Sequence, residues 1–296
     1  MQILRIGVVF SLFLATATIT FGQEWREVFQ KASSFYEKDE LEQAYQASHQ
    51  ALESFIKEGG AANENHAAIL RLLANICFSQ DKLQEGLEYA QKEIAIRELK
   101  KDTVLAAALS NVAQFHQQLG SYEKAIEALA RSLEILLDFY KPEENEVVAP
   151  QLNMAINHYL ADQNQKAYSL FEKAFKSLEG KDAPPETLNS YSYFGLLNLE
   201  MGRTEEAVYT FREAQKKYIK AGLTQTIDYA LLLQGLAEAY HKYTLFFKFE
   251  EVYQQAQRLY DSLGLVNSDE YFNLLNALAV NLYALNKVPL LSVVPT

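Results

Sequence analysis

Cysteine is almost absent: Cys77 is the only one in 296 residues. No internal disulfide can form, so stability has to come from packing. Proline and glycine are scarce as well, six and twelve, beside 18 Tyr and 17 Phe. That balance excludes a disordered or collagen-like chain. Positive charge is in deficit, with 27 Lys and Arg against 38 Asp and Glu and a formal charge of −11. The lysines are interleaved with glutamates rather than gathered into a stripe, which argues against nucleic acid or an anionic bilayer as partner. Catalytic signatures are missing too. The sequence has no phosphate loop, no dinucleotide glycine fingerprint, no Gly-x-Ser-x-Gly elbow and no His-Glu-x-x-His pair.

A repeat is what the sequence does have. Starting from Ala113 and stepping by 39 to 42 residues meets Ala32, Ala74, Ala155, Gly195, Ala237 and Ala279. Twelve residues past these anchors stand Ala44, Gly86, Ala125, Ala167, Ala207 and Phe249. Seven residues further on come Ala51, Glu93, Ser132, Ala174, Ala214 and Ala256. Between the first two sets lie Asp39, Asp81, Gly120, Asp162, Gly202, Thr244 and Asn286. Two antiparallel helices approach closely where neither carries a large side chain, which accounts for the small residues. A residue that ends a helix at positive φ is cheapest as Gly, Asn or Asp, which accounts for the position between them. Helix, tight turn, helix is therefore predicted six times, with one further helix at the end.

Leu109–Ser132, LSNVAQFHQQLGSYEKAIEALARS, is the cleanest copy, and it resembles a tetratricopeptide repeat (TPR). The spacing of mostly 40 to 42 residues is longer than the usual 34. The longer unit resembles the repeats of kinesin light chain and of bacterial proteins that join TPRs to a caspase-like protease. Ser110-Asn111-Val112-Ala113 and Leu152-Asn153-Met154-Ala155 are similar to their first-helix Leu-Asn-Asn-Leu-Ala motif, and Ile96-Arg97-Glu98 to the end of their second helix. The motif is incomplete in each copy, and no protease domain follows within the sequence. The resemblance implies an all-α, right-handed TPR solenoid of about six helix pairs plus one C-terminal helix. It also implies a non-catalytic scaffold that binds a protein or an extended peptide. The alternative is the sensing or regulatory half of a longer signalling or protease system.

Residues 1–22 read as a secretory signal peptide, with Arg5 before the apolar Ile6–Ala15 and a cleavage point after Gly22. The apolar run is short for a membrane span, and an uncleaved anchor is the alternative. The expectation is a bacterial envelope protein, periplasmic or secreted, with no membrane insertion of the mature chain. Repeats are expected at about 25–64, 65–102, 103–146, 147–186, 187–226 and 227–268, with a half-repeat at 269–286. The tail 287–296 is apolar, and the end it leaves offers a surface for self-association. Phe249 stands where the other copies have Ala or Gly, so the sixth pair is predicted to splay apart or to lengthen its turn, with local repacking as the plainer alternative.

Cys77, His116 and His158 fall at the same place in successive first helices. Helices pack about 8–10 Å apart, so such a row does not converge on one ion. No metal, cofactor or catalytic residue is expected. The TPR resemblance lines the concave face with first helices, and there it implies Arg71, Asn75, Ser110, Asn111, Gln114, Gln117, Asn153, Tyr159 and Ser192 as partner-binding candidates. Asn111 and Asn153 share one repeat position, where an amide can both donate to and accept from a peptide backbone. Arg71 points to an acidic ligand.

Overall fold

The structure is a computed structural model that describes residues 24–181 and 184–284. The predicted signal peptide, the position of Asn286 and the apolar tail lie outside the described residues. Among the described residues every long element is a helix, and the chain divides into two compact units. The first unit holds four helix pairs: α1 (Glu24–Glu37) with α2 (Leu41–Lys57), α3 (Glu64–Ser79) with α4 (Leu83–Arg97), α5 (Thr103–Gln118) with α6 (Tyr122–Leu136), and α7 (Asn145–Leu160) with α8 (Asn164–Ser177). The second unit begins at Leu178 and contains α9 (Asn189–Glu200) with α10 (Thr204–Lys220), α11 (Ile227–Lys242) with α12 (Phe246–Ser262), and the single helix α13 (Asp269–Ala284). No described helix is long and apolar enough to cross a membrane.

One turn recurs in all six pairs. Asp39, Asp81, Gly120, Asp162, Gly202 and Thr244 all have positive φ, between 57° and 73°. The next residue sends its N–H back to a carbonyl five residues earlier: Glu40 to Phe35, Lys82 to Cys77, Ser121 to His116, Gln163 to His158, Arg203 to Asn198 and Leu245 to Tyr240, all at 2.8–2.9 Å. This pairing satisfies carbonyls that the end of the first helix would otherwise leave bare. The helix that follows this turn starts without a side-chain cap. None of α2, α4, α6, α10 and α12 has one, whereas α3, α5 and α11 are capped by Asn63, Asp102 and Thr226.

The small residues pack as their spacing requires. Ala32, Ala44, Ala125, Ala155, Ala167 and Ala207 are fully buried where the helices of each pair cross. Where a repeat has glycine instead, an aromatic ring occupies the space. A Cβ added at Gly86 would lie 2.5 Å from the Phe115 ring, and one added at Gly195 would lie 2.5 Å from the ring of Phe211. A Cβ added at Gly235 would lie 2.6 Å from that same Phe211 ring, so two glycines on neighbouring first helices make room for one phenylalanine.

The sixth pair does not splay, and its turn is not lengthened. Only Tyr243, Thr244 and Leu245 separate α11 from α12, with the same φ and the same return bond as elsewhere. Phe249 is accepted because its ring is buried between partners of matching shape. His241 meets it edge-on with centroids 5.8 Å apart, and Tyr253 stacks on it at 5.8 Å. A large ring stands where other copies carry a methyl group or a hydrogen, and the rings of His241 and Tyr253 pack against it.

Two substitutions separate the backbone requirement from the packing requirement. Thr244 is β-branched at positive φ, so Thr244→Gly should stabilise the chain by about 1 kcal/mol. Gly195→Ala should destabilise it by about 1–3 kcal/mol, because the Phe211 ring has to move. Thermal melts followed by circular dichroism read both, and a fall for Thr244→Gly would contradict the turn assignment.

Candidate functional site

The candidates on α3, α5 and α7 belong to the first unit, and Ser192 on α9 belongs to the second. On α5, Ser110, Gln114 and Gln117 follow one another at four and three residues and so share a helix face. Arg71 and Asn75 on α3 are likewise four apart. Asn153 and Asn157 repeat that spacing on α7.

Three of these side chains are engaged within the fold. Arg71 holds Glu93 of α4 through Nε and a terminal nitrogen, both at 2.7 Å. Glu93 is 1% exposed and also accepts from Arg97 Nε at 2.7 Å, while Arg97 reaches on to Glu64. The Arg71 charge is therefore matched inside the helix pair, and its role as an attractor of acidic ligands gives way to that of an interhelical tie. In the next repeat the two equivalent places hold Ser110 and Ser132, whose hydroxyls lie 3.0 Å apart, and Ser132 donates to the Ala106 carbonyl at 2.8 Å. Gln117 accepts from Asn157 Nδ2 at 2.9 Å, and the same nitrogen donates to the Asn153 carbonyl. That bond ties α5 to α7. Asn157 is 1% exposed, and its Oδ1 has no partner among the described residues.

The remaining amides are differently placed. Among the described residues, the side chains of Asn75, Asn111, Gln114 and Asn153 make no hydrogen bond. Asn75, Asn111 and Asn153 are half-buried, Gln114 is exposed, and Tyr159 is half-buried at the end of α7. In the second unit the Ser192 hydroxyl is buried, with no partner among the described residues.

Two residues of this region went unread in the sequence. Glu93 occupies a place where the other copies carry Ala or Ser, and an acid at a closely packed position demands a cation nearby. Asn157 carries a weaker signal, a polar residue inside an otherwise apolar run.

The Cys77, His116 and His158 row carries no reactive group. Burial, with Glu85 nearby, pushes the Cys77 thiol up to about 12, so it stays protonated. Burial depresses His116, helped by Lys124 and opposed by Glu127. Burial depresses His158 against the opposing effect of its 2.9 Å bond to Gln163, and burial alone depresses His66. Among the described residues no three His, Cys, Asp or Glu side chains gather where they could hold a metal ion. At Glu64, partial burial raises the carboxyl, but Lys100 and Arg97 outweigh it and hold it below the usual range.

Residues 104–180 match the tetratricopeptide-repeat family. That stretch is made of TPRs, and its architecture repeats in the other helix pairs of the chain. The chain's array superposes on solved TPR folds at low sequence identity. RapI in its apo form gives a TM-score of 0.62 at 16% identity, over 88% of this chain and 99% of that one. A Rap protein complexed with Competence and Sporulation Factor gives 0.58 at 14%, over 89% and 77%. A Podosopora anserina protein described as kinesin light chain, with nearly identical TPR-like repeats, gives 0.54 at 18%, over 66% and 94%. No curated protein matches the sequence.

The paired charges of this TPR array give a cycle to measure. Glu93→Ser removes the buried acid that Arg71 and Arg97 share, with Arg97 still reaching Glu64, and should cost about 3 kcal/mol. Adding Arg71→Ser rebuilds the serine pair of the next repeat and should recover part of that loss. A double variant no more stable than Glu93→Ser would show that Arg71 is not the partner that matters. The depressed histidines give a pH dependence. The unfolded chain protonates them near 6.5, the folded chain only at lower pH. Their contribution to stability is complete above 6.5 and is lost as pH falls towards the folded-state values. The melting temperature should therefore be lower near pH 5.5 than near pH 7.5, and His116→Gln should narrow the gap. An equal gap in the variant would show that His116 is not one of its causes.

Proposed function

We propose that this chain is a non-catalytic scaffold that holds an extended segment of another protein on the face formed by α3, α5 and α7. The observation that carries this reading is the pair Asn111 and Asn153. They stand at one repeat position on successive first helices, half-buried, with amides that make no hydrogen bond among the described residues. Each can donate twice and accept at its carbonyl oxygen, which is the complement of a peptide backbone. Asn75 and Gln114, which share the repeat position three residues further on, add a second row of amides about one helical turn away. The neighbouring Arg71, Ser110 and Gln117 are engaged within the helix array, so the amides stand on a braced surface, and little ordering entropy remains to be lost on binding. With Arg71 matched by Glu93, the face favours a neutral, backbone-recognised segment over an acidic one. The Rap complex with Competence and Sporulation Factor is consistent with ligand capture by such a fold. Export directed by residues 1–22 belongs to the same reading and places the partner in the cell envelope or outside the cell.

A pull-down from an envelope extract tests it, with the Asn111→Ala, Asn153→Ala double variant as comparison and circular dichroism to show that both are folded. The expected result is a partner retained by the native chain and lost by the folded variant. A partner retained equally by both would move binding away from this face and deprive the two asparagines of any part in it.

A further inference from the structure

Consecutive second helices leave a groove between them. Between α2 and α4 that groove is closed. Tyr45 and Tyr89 both donate to Glu85, Tyr89 and His49 are joined at 3.1 Å, and Lys82 lies 4.4 Å from the centre of the Tyr45 ring. Between α10 and α12, in the second unit, the corresponding groove is open. It forms a cavity of about 390 Å³ walled by one face of α10 and floored by Tyr240 of α11.

The repeat register shows why. Tyr45 lies 13 residues past Ala32, and Val208 lies 13 past Gly195, so a small side chain stands where a ring fills the first groove. Glu85 lies 11 past Ala74, and Lys248 lies 11 past Ala237, so the carboxylate is replaced by an ammonium. Arg212 stands in the place of His49, 17 residues past the anchor in each case. Lys248 sits 5.6 Å from the centre of the Tyr240 ring, and neither it nor Arg212 forms an ion pair among the described residues. Glu213 on the same wall is held by Lys216 at 2.6 Å. Of the other acids, Glu205 is two helical turns from Arg212, roughly 10 Å along the axis, and Glu251, one turn past Lys248 on α12, is near enough to help raise the Tyr240 hydroxyl, chiefly raised by burial. Tyr209 on the rim is 68% exposed. The groove therefore lacks what closes its counterpart, an aromatic ring and a carboxylate side by side, and it presents cations at the positions of that carboxylate and of the neighbouring His49.

We propose that the groove between α10 and α12 is a second docking site, for a partner segment that carries an acidic side chain next to an aromatic one. The ring takes the space above Val208 against Tyr240 and Tyr209, and the carboxylate sits between Arg212 and Lys248. A carboxylate shared by a guanidinium and an ammonium at a partly desolvated surface gives selectivity for sign more than great affinity.

The test uses the full chain and a fluorescein-labelled peptide, Gly-Glu-Tyr-Glu-Gly, with its Gln and Lys counterparts, read by fluorescence anisotropy. Val208→Tyr and Lys248→Glu each install the residue found at the same repeat position of the closed groove, so both are compatible with the repeat fold. The native chain should bind the glutamate peptide saturably, more weakly as salt rises, and at least about tenfold more tightly than the lysine peptide. Val208→Tyr and Lys248→Glu should each weaken that binding about tenfold or more. Asn111→Ala, Asn153→Ala should leave it unchanged, which separates this site from the amide face. No saturable binding, no preference for the acidic peptide, or equal binding by the two groove variants would each overturn the proposal.

Discussion

The residue at positive φ between the helices of each pair is the constraint on which the rest of this structure depends. A helix that ends without it leaves carbonyls bare and lets the next helix depart in many directions. With it, the following N–H is returned to the carbonyl five residues back, and the next helix starts in one direction only. The close crossing of small residues follows from that geometry, because the two anchors of a pair can meet only if the turn brings them into register. It also explains why Asp serves as well as Gly at three of the six turns. An αL conformation costs a residue with a side chain about 1–2 kcal/mol, which the return bond and the packing of the pair offset.

Once the backbone repeats, side chains can exchange bulk between neighbouring positions. Phe211 fills the room left by Gly195 and Gly235, and Phe115 the room left by Gly86. At the sixth pair the exchange runs the other way, with Phe249 in a methyl's place and His241 meeting it edge-on. Glu93 is the polar version of the same exchange. It sits where Ser132, Ala174 and Ala214 sit in other copies, and Arg71 and Arg97 supply what a buried carboxylate requires. Interior volume and charge are balanced locally, repeat by repeat, as expected where each unit touches only its neighbours.

This separation explains what was legible in the sequence. The turns and the crossing points were, because steric rules leave few residue types for them, and seven-fold repetition exposes the pattern. At Phe249 local repacking is what is found, not a splayed pair or a longer turn. A linear pattern records the size of a side chain but not the shape of the space beside it, and that space is set by His241 and Tyr253 from different helices. Arg71 was misread for a related reason. An exposed arginine and one tied to an acid look alike in sequence until the acid is noticed at a place reserved for small residues. The amides of Asn111 and Asn153 were named from their shared position, but that Gln117 is taken by Asn157 follows only from coordinates.

Recognition in such an array has to come from departures from the repeat, because positions that obey it are consumed by folding. The anchors, the turns and the crossing residues are buried or backbone-bound in each of the six helix pairs, and no ligand can use them there. What varies lies on the two outer faces. On the first-helix side the variation runs from an ion pair at Arg71 and Glu93 to hydroxyls at Ser110 and Ser132, with unbonded amides beside them. On the second-helix side it runs from a groove sealed by its own tyrosines and glutamate to one that is cationic and unfilled. Both faces are held by the same kind of turn, so a ligand at either meets side chains already in place. A change of residue on one face need not disturb the other, because neither contributes to the crossing points that set the backbone. The chain can therefore carry two specificities of different chemical character, one reading peptide backbone through amides and one reading charge beside an aromatic ring, without a second fold to support them.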